Sequence, residues 1–341
     1  MSHPPVHLLR QGRMIDGSGG PSVTADVLLH GERIEAIAPN CSELANALAA
    51  SFGAPLQTLD CQGLVIAPGF IDVHTHDDAI VLQQPEMLPK LSQDITTVIA
   101  GNCGISLLPL HTASPQPPLN LLGRDSFQHA SMGSYQASYS SAQPAVNTAL
   151  LIGHTTLRFA TMGTTAEALD RAATPDELAA MAALLDTCLA DGAIGLSSGL
   201  FYTPAFAAPA SEVVALARVV ARHGGVYTSH IRDEMQHIIE ALHEAGDTAF
   251  EAGVPLVISH HKCAGPANWG RTAQTLPLIE AMAARAAVAM DVYPYIAGST
   301  VLREDLVDGV IDVRLTWSDA HPEVAGRLLT RHRPNHAAPA R

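Results

Sequence analysis

The sequence carries no basic excess: 19 Lys and Arg stand against 33 Asp and Glu in 341 residues, a net charge of −14. A surface of that sign repels phosphate backbones and anionic lipid, so neither nucleic acid nor a membrane surface is expected as the main partner. No apolar run approaches the ~20 residues that span a bilayer, and the N-terminus lacks the basic-then-apolar order of a secretory signal. The five cysteines (Cys41, Cys61, Cys103, Cys188, Cys263) are odd in number and form no CxxC pair. That fits a reducing compartment better than a disulfide framework. There is no GxGxxG, and the glycine turn Asp16-Gly17-Ser18-Gly19-Gly20-Pro21 precedes no helix signal, which argues against a phosphate loop. Together these absences lead to the expectation of a soluble, cytoplasmic protein.

The chain is long enough for one α/β barrel or two domains. Up to about residue 66 it reads as short strands: Val6–Leu9, Asp26–His30, Arg33–Ile37, Gln57–Asp60 and Leu64–Pro68. From residue 67 the rhythm changes, and apolar strand-like runs alternate with Ala-rich helical stretches. Seven such runs end at His74/His76, Cys103, His154, Ser197, His230, His260 and Tyr293. Between them Thr174-Pro175-Asp176-Glu177 is a capping box with Pro at the first helical position. Leu178, Met181, Leu185 and Cys188 share one helical face, which makes Cys188 a core residue. Ser211–His223 repeats the design. Residues 105–147, rich in Pro, Ser and Gln, are expected to form a lid or a partner surface.

Polar groups at the C-terminal ends of successive parallel strands are what a (β/α)8 barrel offers its active site, and the barrel is preferred over a doubly wound sheet. One mouth then collects His74, His76, Cys103, His154, His230 and His260 or His261. Each alone reads as an ordinary core or hydrogen-bonded residue; all at strand ends, they read as a metal site. A thiolate with imidazoles favours zinc over magnesium or calcium. Such a site also needs a carboxylate to move a proton, for which Asp233, Glu234 and Asp291 are candidates.

At these residues the chain resembles the N-acyl-D-amino-acid deacylase (D-aminoacylase) branch of the amidohydrolase superfamily, from about residue 5 to about residue 325. The likeness rests on Ala67-Pro68-Gly69-Phe70-Ile71-Asp72-Val73-His74-Thr75-His76-Asp77-Asp78, Gly101-Asn102-Cys103-Gly104 and Gly153-His154-Thr155-Thr156-Leu157-Arg158. It continues through Gly195-Leu196-Ser197-Ser198-Gly199-Leu200, Ser229-His230-Ile231-Arg232-Asp233-Glu234, Ile258-Ser259-His260-His261-Lys262 and Asp291-Val292-Tyr293-Pro294-Tyr295. The resemblance implies a small β-sandwich (residues 1–66) and a metal-dependent hydrolase barrel (residues 67–326, about seven of eight strands). It implies hydrolysis of N-acyl-D-amino acids to a carboxylate and a free D-amino acid. The implied metal ligands are His74, His76, Cys103, His230 and His260, with one tight zinc on Cys103 and the later two histidines and a second, weaker metal on the HxH pair. The fourth strand has no lysine, in keeping with Cys103 as the bridging ligand. Tyr202 and Lys262 match substrate positions, and Arg158, Arg232, Tyr293 and Ser299 are further substrate candidates.

The resemblance also places the family's general-base Asp and eighth strand beyond residue 341. The stretch 327–341 holds four Arg, two His and no acid, and is expected to be a solvated tail. A reading-frame shift near residue 327 is the sharper expectation, testable by sequencing the DNA beyond it. Two alternative functions stand beside deacylation: a non-catalytic metal-binding chain, and an amidohydrolase acting on a cyclic amide.

Overall fold

The computed structural model describes residues 3–300, 302, 307, 312–318 and 320–329. The chain divides into two compact units, Met1–Phe70 and Ile71–Arg341.

The first unit is built on strands β1 (Val6–Met14), β2 (Val23–His30) and β3 (Arg33–Ala38), helix α1 (Ser42–Phe52), then β4 (Leu56–Asp60) and β5 (Val65–Ile66). They make one sheet in the order β3-β2-β1-β4, with β5 also paired to β1. A second sandwich layer is not among the described residues. Helix α1 has no counterpart in the strand reading above. Its signals are local: the Asn40 side chain accepts from the Ser42 N–H, and Gly53 closes the helix in the left-handed conformation. Ala45 and Ala49, one turn apart, bury with Val6, Leu8 and Leu28 against the sheet. The glycine turn at residues 16–21 leads into β2, a strand, so no helix N-terminus faces it.

The second unit runs β6 (Phe70–Asp72), α2 (Ile80–Gln83), α3 (Leu88–Leu91), β7 (Ile95–Ala100), β8 (Leu110–His111), β9 (Gln128–His129), α4 (Met132–Ala142) and β10 (Asn147–Gly153). It goes on through α5 (His154–Met162), α6 (Ala166–Leu169), α7 (Pro175–Ala190), β11 (Gly195–Gly199), α8 (Ala210–Arg222), β12 (Val226–His230), α9 (Ile238–Ala252), β13 (Leu256–Ile258), α10 (Thr272–Ala283) and β14 (Val288–Met290). Seven strands form one sheet in the order β14-β13-β12-β11-β10-β7-β6, and β7 and β10 to β14 pair in parallel. Each of these strands is the spatial neighbour of the one before it in the chain. A doubly wound sheet reverses its order at a switch point; this one does not, so it is an arc of a (β/α)8-type barrel. The seven strands coincide with the seven apolar runs of the sequence.

One contiguous core holds the arc to its helices, with Val98, Leu150, Ile152, Leu196, Tyr227, Leu256 and Ile258 inside. Each large apolar side chain so buried contributes roughly 1.5–3 kcal/mol. Helix α7 carries the expected capping box between Thr174 and Glu177, and Met181, Leu185 and Cys188 are buried on its inner face. The stretch 105–147 is anchored in the body of the unit. Leu107, Phe127 and Tyr135 are fully or almost fully buried in the main core, and its Pro and Ser residues make turns around that apolar skeleton. No helix among the described residues is long and apolar enough to cross a membrane. Of the expected tail, Leu328–Leu329 pairs with Val313–Arg314; residues 330–341 lie outside the described residues.

Candidate metal centre

Four loops meet at the C-terminal ends of the strands. After β6 come His74 and His76, whose rings meet edge to face at 5.9 Å. Two residues on, Asp78 is buried and accepts from the N–H groups of Gly101 (3.1 Å) and Leu107 (3.4 Å), tying the first loop to the second. After β7, Gly101-Asn102-Cys103-Gly104 turns sharply, with Gly101 at φ +82° and Cys103 itself at +55°. A Cβ on Gly101 would lie 2.1 Å from the Leu151 carbonyl oxygen on β10, so glycine is required for this approach. Ser197 on β11 clamps the turn from the other side: its hydroxyl accepts from the Gly104 N–H (2.9 Å) and donates to the Gly101 carbonyl. The turn thereby delivers the Cys103 thiol to the mouth.

His230 is the last residue of β12, and Phe201 and Tyr202 pack on its ring at 5.4 and 5.0 Å. His260 follows β13 at φ +36° and donates its N–H to Asp291 Oδ1 (2.6 Å). Two ligand-type side chains, Cys103 and His260, thus sit at positive φ without being glycine, the kind of strain that concentrates at functional sites.

Cys103 Sγ lies 3.2 Å from His74 Nε2 and 3.4 Å from His260 Nε2. Two donor groups, His74–His76–Cys103 and Cys103–His230–His260, each have ligand atoms within 4.8 Å of one another and share the sulfur. Both ring nitrogens of His230 and Nδ1 of His76 are buried with no hydrogen-bond partner. Buried polar atoms left so cost roughly 1–3 kcal/mol each, which a bound cation would relieve at the nitrogens facing it. Burial alone would keep Cys103 protonated, but the imidazoles of His230, His260, His74 and His76 outweigh it and hold the thiol well below its usual range. Burial also opposes charge on His74 and His260. The bonds of His74 to Asp291 and Cys103, and of His260 to Cys103 and Glu234, prevail and raise them to about 10 and about 9. The pocket is therefore built to hold positive charge around a thiolate, and protons and a metal ion compete for it. Sulfur with imidazole is a donor set that suits zinc.

Two carboxylates orient these ligands. Asp291 Oδ2 is 3.2 Å from His74 Nδ1. Glu234 Oε1 is 2.9 Å from His260 Nδ1 and 2.6 Å from Lys262 Nζ. Such partners fix the rotation and tautomer of ligating imidazoles. Asp233 instead accepts the N–H groups of Met235 and His237 in the turn leading to α9.

Among the expected substrate residues, Lys262 lies beside the cluster, its Nζ 3.0 Å from His260 Nδ1 and over the Tyr293 ring at 5.6 Å. Tyr202 bonds Thr300 through its hydroxyl at 2.7 Å. Ser299 is exposed in the irregular stretch after β14. Four expected residues lie outside the donor cluster. Arg158 is fully buried, its guanidinium bonded to Glu212 and the Arg171 carbonyl, so no substrate reaches it. Arg232 donates a bidentate pair of hydrogen bonds to Glu244 (2.8 and 2.7 Å) and donates further to the carbonyls of Phe206 and Ala208. His154 is likewise outside the cluster, with its Nε2 2.9 Å from Glu212 Oε1, and His261 bonds Thr275 at 2.8 Å. Glu212 was missed in the sequence because it stands in an apolar helix start; Arg158, four residues after His154 on one helix, was the available hint that a buried acid would be needed.

A family model described as "Amidohydrolase family" matches residues 57–320. D-aminoacylase of Alcaligenes xylosoxydans xylosoxydans is 46% identical over 94% of this chain and 64% of its own length. A crystal structure of D-aminoacylase matches with a TM-score of 0.86 at 45% identity, covering 95% of this chain and 65% of that one. N-acyl-D-glutamate deacylase from Bordetella bronchiseptica, solved with zinc and a phosphonate mimic of the tetrahedral intermediate, matches at 0.83 and 37% identity, covering 96% of this chain and 66% of that one. The chain thus spans about two thirds of the length of these relatives, 64% in the first case.

Proposed function

This chain belongs to the amidohydrolase family, and we propose that it hydrolyses N-acyl-D-amino acids to a carboxylate and a free D-amino acid with zinc as its metal. The observation that carries this reading is the convergence of Cys103, His230 and His260, with both ring nitrogens of His230 buried and without a hydrogen bond. These three would hold the tighter ion and His74, His76 and Cys103 a second. When bound, zinc polarises a carbonyl and makes water acidic enough to serve as a nucleophile at neutral pH.

The chain's own residues do the rest. Glu234 and Asp291 lock His260 and His74 in the orientation that presents their Nε2 atoms to the sulfur. Lys262 offers the charge that a substrate carboxylate needs, and Tyr202 stands over His230 with a hydroxyl that can turn from Thr300 to the scissile carbonyl. Phe201 and Tyr202 shield the His230 ring from water and so strengthen electrostatic contacts at the mouth.

A second reading, zinc binding without turnover, draws on one observation. Both nearby carboxylates are already committed to imidazoles, which leaves the proton transfer to the leaving nitrogen without an evident partner among the described residues. Hydrolysis of paired D and L forms of N-acetyl-methionine, measured beside zinc content, decides. D-selective turnover that requires zinc supports deacylation; zinc retained with neither enantiomer cleaved supports the second reading.

A further inference from the structure

A pocket of about 500 Å³ is walled on one side by Phe201 and Tyr202, the same two rings that pack on His230. Phe159, Leu169, Phe206 and Leu302 also line it, and none of its lining residues is charged. Phe206 and Leu302 are 56% and 57% exposed and give the pocket an apolar rim among the described residues. The guanidinium of Arg232 lies over the outer Phe206 ring at 5.5 Å and is held there by Glu244 and by the carbonyls of Phe206 and Ala208, outside the lining. An acidic arm entering this pocket would exchange water for a lining that is uncharged among the described residues.

An N-acyl amino acid carries its arms on opposite sides of the scissile amide. The acyl chain leaves from the carbonyl carbon; the carboxylate and side chain leave from the nitrogen. Lys262, shared with Glu234 at 2.6 Å, is the cation beside His260, whereas the aromatic pair touches His230. With the scissile carbonyl at these two imidazoles, the carboxylate turns to the Lys262 flank and the acyl chain to the aromatic one. We propose that this pocket receives the acyl arm and that the chain takes apolar acyl groups longer than acetyl, a proposal that rests on the deacylase reading above.

The carboxylate products test it without requiring turnover. Calorimetric titration of the zinc-loaded chain with acetate, butanoate and hexanoate, and with glutarate as the acidic control, reads the pocket directly. A fully buried methylene is worth roughly a fourfold gain in affinity. Hexanoate is therefore expected to bind at least tenfold more tightly than acetate, and glutarate no more tightly than acetate. Ala166→Trp and Thr164→Trp, at two exposed wall positions, should each pull the hexanoate-to-acetate ratio toward one. Equal affinity along the series, tight glutarate binding, or a chain-length gain that survives both tryptophans overturns the proposal. Zinc content is read separately: a chain that keeps no zinc removes the metal reading itself, and the acyl pocket falls with it.

Discussion

His74 Nδ1 lies 3.2 Å from Asp291 Oδ2, although 217 residues separate the two in the chain. His74 follows β6 and Asp291 follows β14, the two ends of the seven-strand order. The sheet therefore curls far enough for its first and last strands to share a hydrogen bond at the mouth. Asp291 also accepts the main-chain N–H of His260, so one carboxylate positions a ligand-type side chain from each of the two donor groups around Cys103. Four expectations follow from this geometry.

Cys103 is the donor common to both groups. Cys103→Ala should remove both ions together, lowering zinc content at equilibrium dialysis to near zero, while His76→Ala should spare the Cys103–His230–His260 ion. A Cys103→Ala chain that keeps a full equivalent of zinc would show that the sulfur is not a ligand.

Glu234 holds His260 through a single oxygen that Lys262 also uses. Glu234→Gln keeps the shape and loses the charge, so zinc affinity in a competition assay with a chromogenic chelator should fall 10- to 100-fold, the usual effect of removing a carboxylate behind a ligating imidazole. Unchanged affinity would mean that Glu234 serves only Lys262.

Ser197 satisfies a donor and an acceptor of the Gly101–Gly104 turn at once. Ser197→Ala leaves both unpaired in the interior, and stability should drop by about 1–3 kcal/mol. Chemical denaturation measures this as an earlier midpoint with unchanged slope. The turn also fixes Cys103, so zinc affinity should weaken in the same variant, and a stability loss without any change in zinc affinity would uncouple the clamp from the thiol.

The His154–Arg158–Glu212 cluster sets a pH limb. Burial resists ionisation of Glu212, but His154 and Arg158 overcome it and bring its carboxyl from 4.5 to about 2. Between those values the unfolded chain binds the extra proton, so the contribution is complete above about 4.5 and is lost as pH falls toward 2, at roughly 1.4 kcal/mol per pH unit. His154 acts in the same direction at higher pH: burial lowers its pKa from 6.5, so below that value the unfolded chain takes up a proton first and stability falls. Thermal melts of Glu212→Gln should be lower at pH 7 and flatter between pH 5 and 3 than those of the parent chain. Parallel curves would place the acid sensitivity elsewhere.

Much of the architecture was readable from periodicity. The seven apolar runs correspond to the seven strands, because strands packed in one core with their crossover helices on the outer side, such as β10 to β13, leave a near-continuous hydrophobic signal. Helix α1 was not read, since its inner face consists of small alanines that give little contrast against a polar background. The packing of the stretch 105–147 was not read for a related reason: its turn residues dominate the composition, while a few widely spaced residues such as Leu107, Phe127 and Tyr135 decide where it is anchored.

By itself the sequence determined the seven strand runs, the barrel class and the residue types suited to zinc, because apolar runs, capping and strand-end chemistry are local properties of the chain. Only the tertiary structure decided which of those residues meet. It drew His74, Cys103, His230 and His260 to one sulfur, turned His154 and Arg158 inward to Glu212, and gave Glu234 and Asp291 their imidazoles. The physical reason is that a hydrogen bond or a shared ion depends on distances of about 3 Å across loops far apart in sequence, and those distances exist only once the sheet has curled.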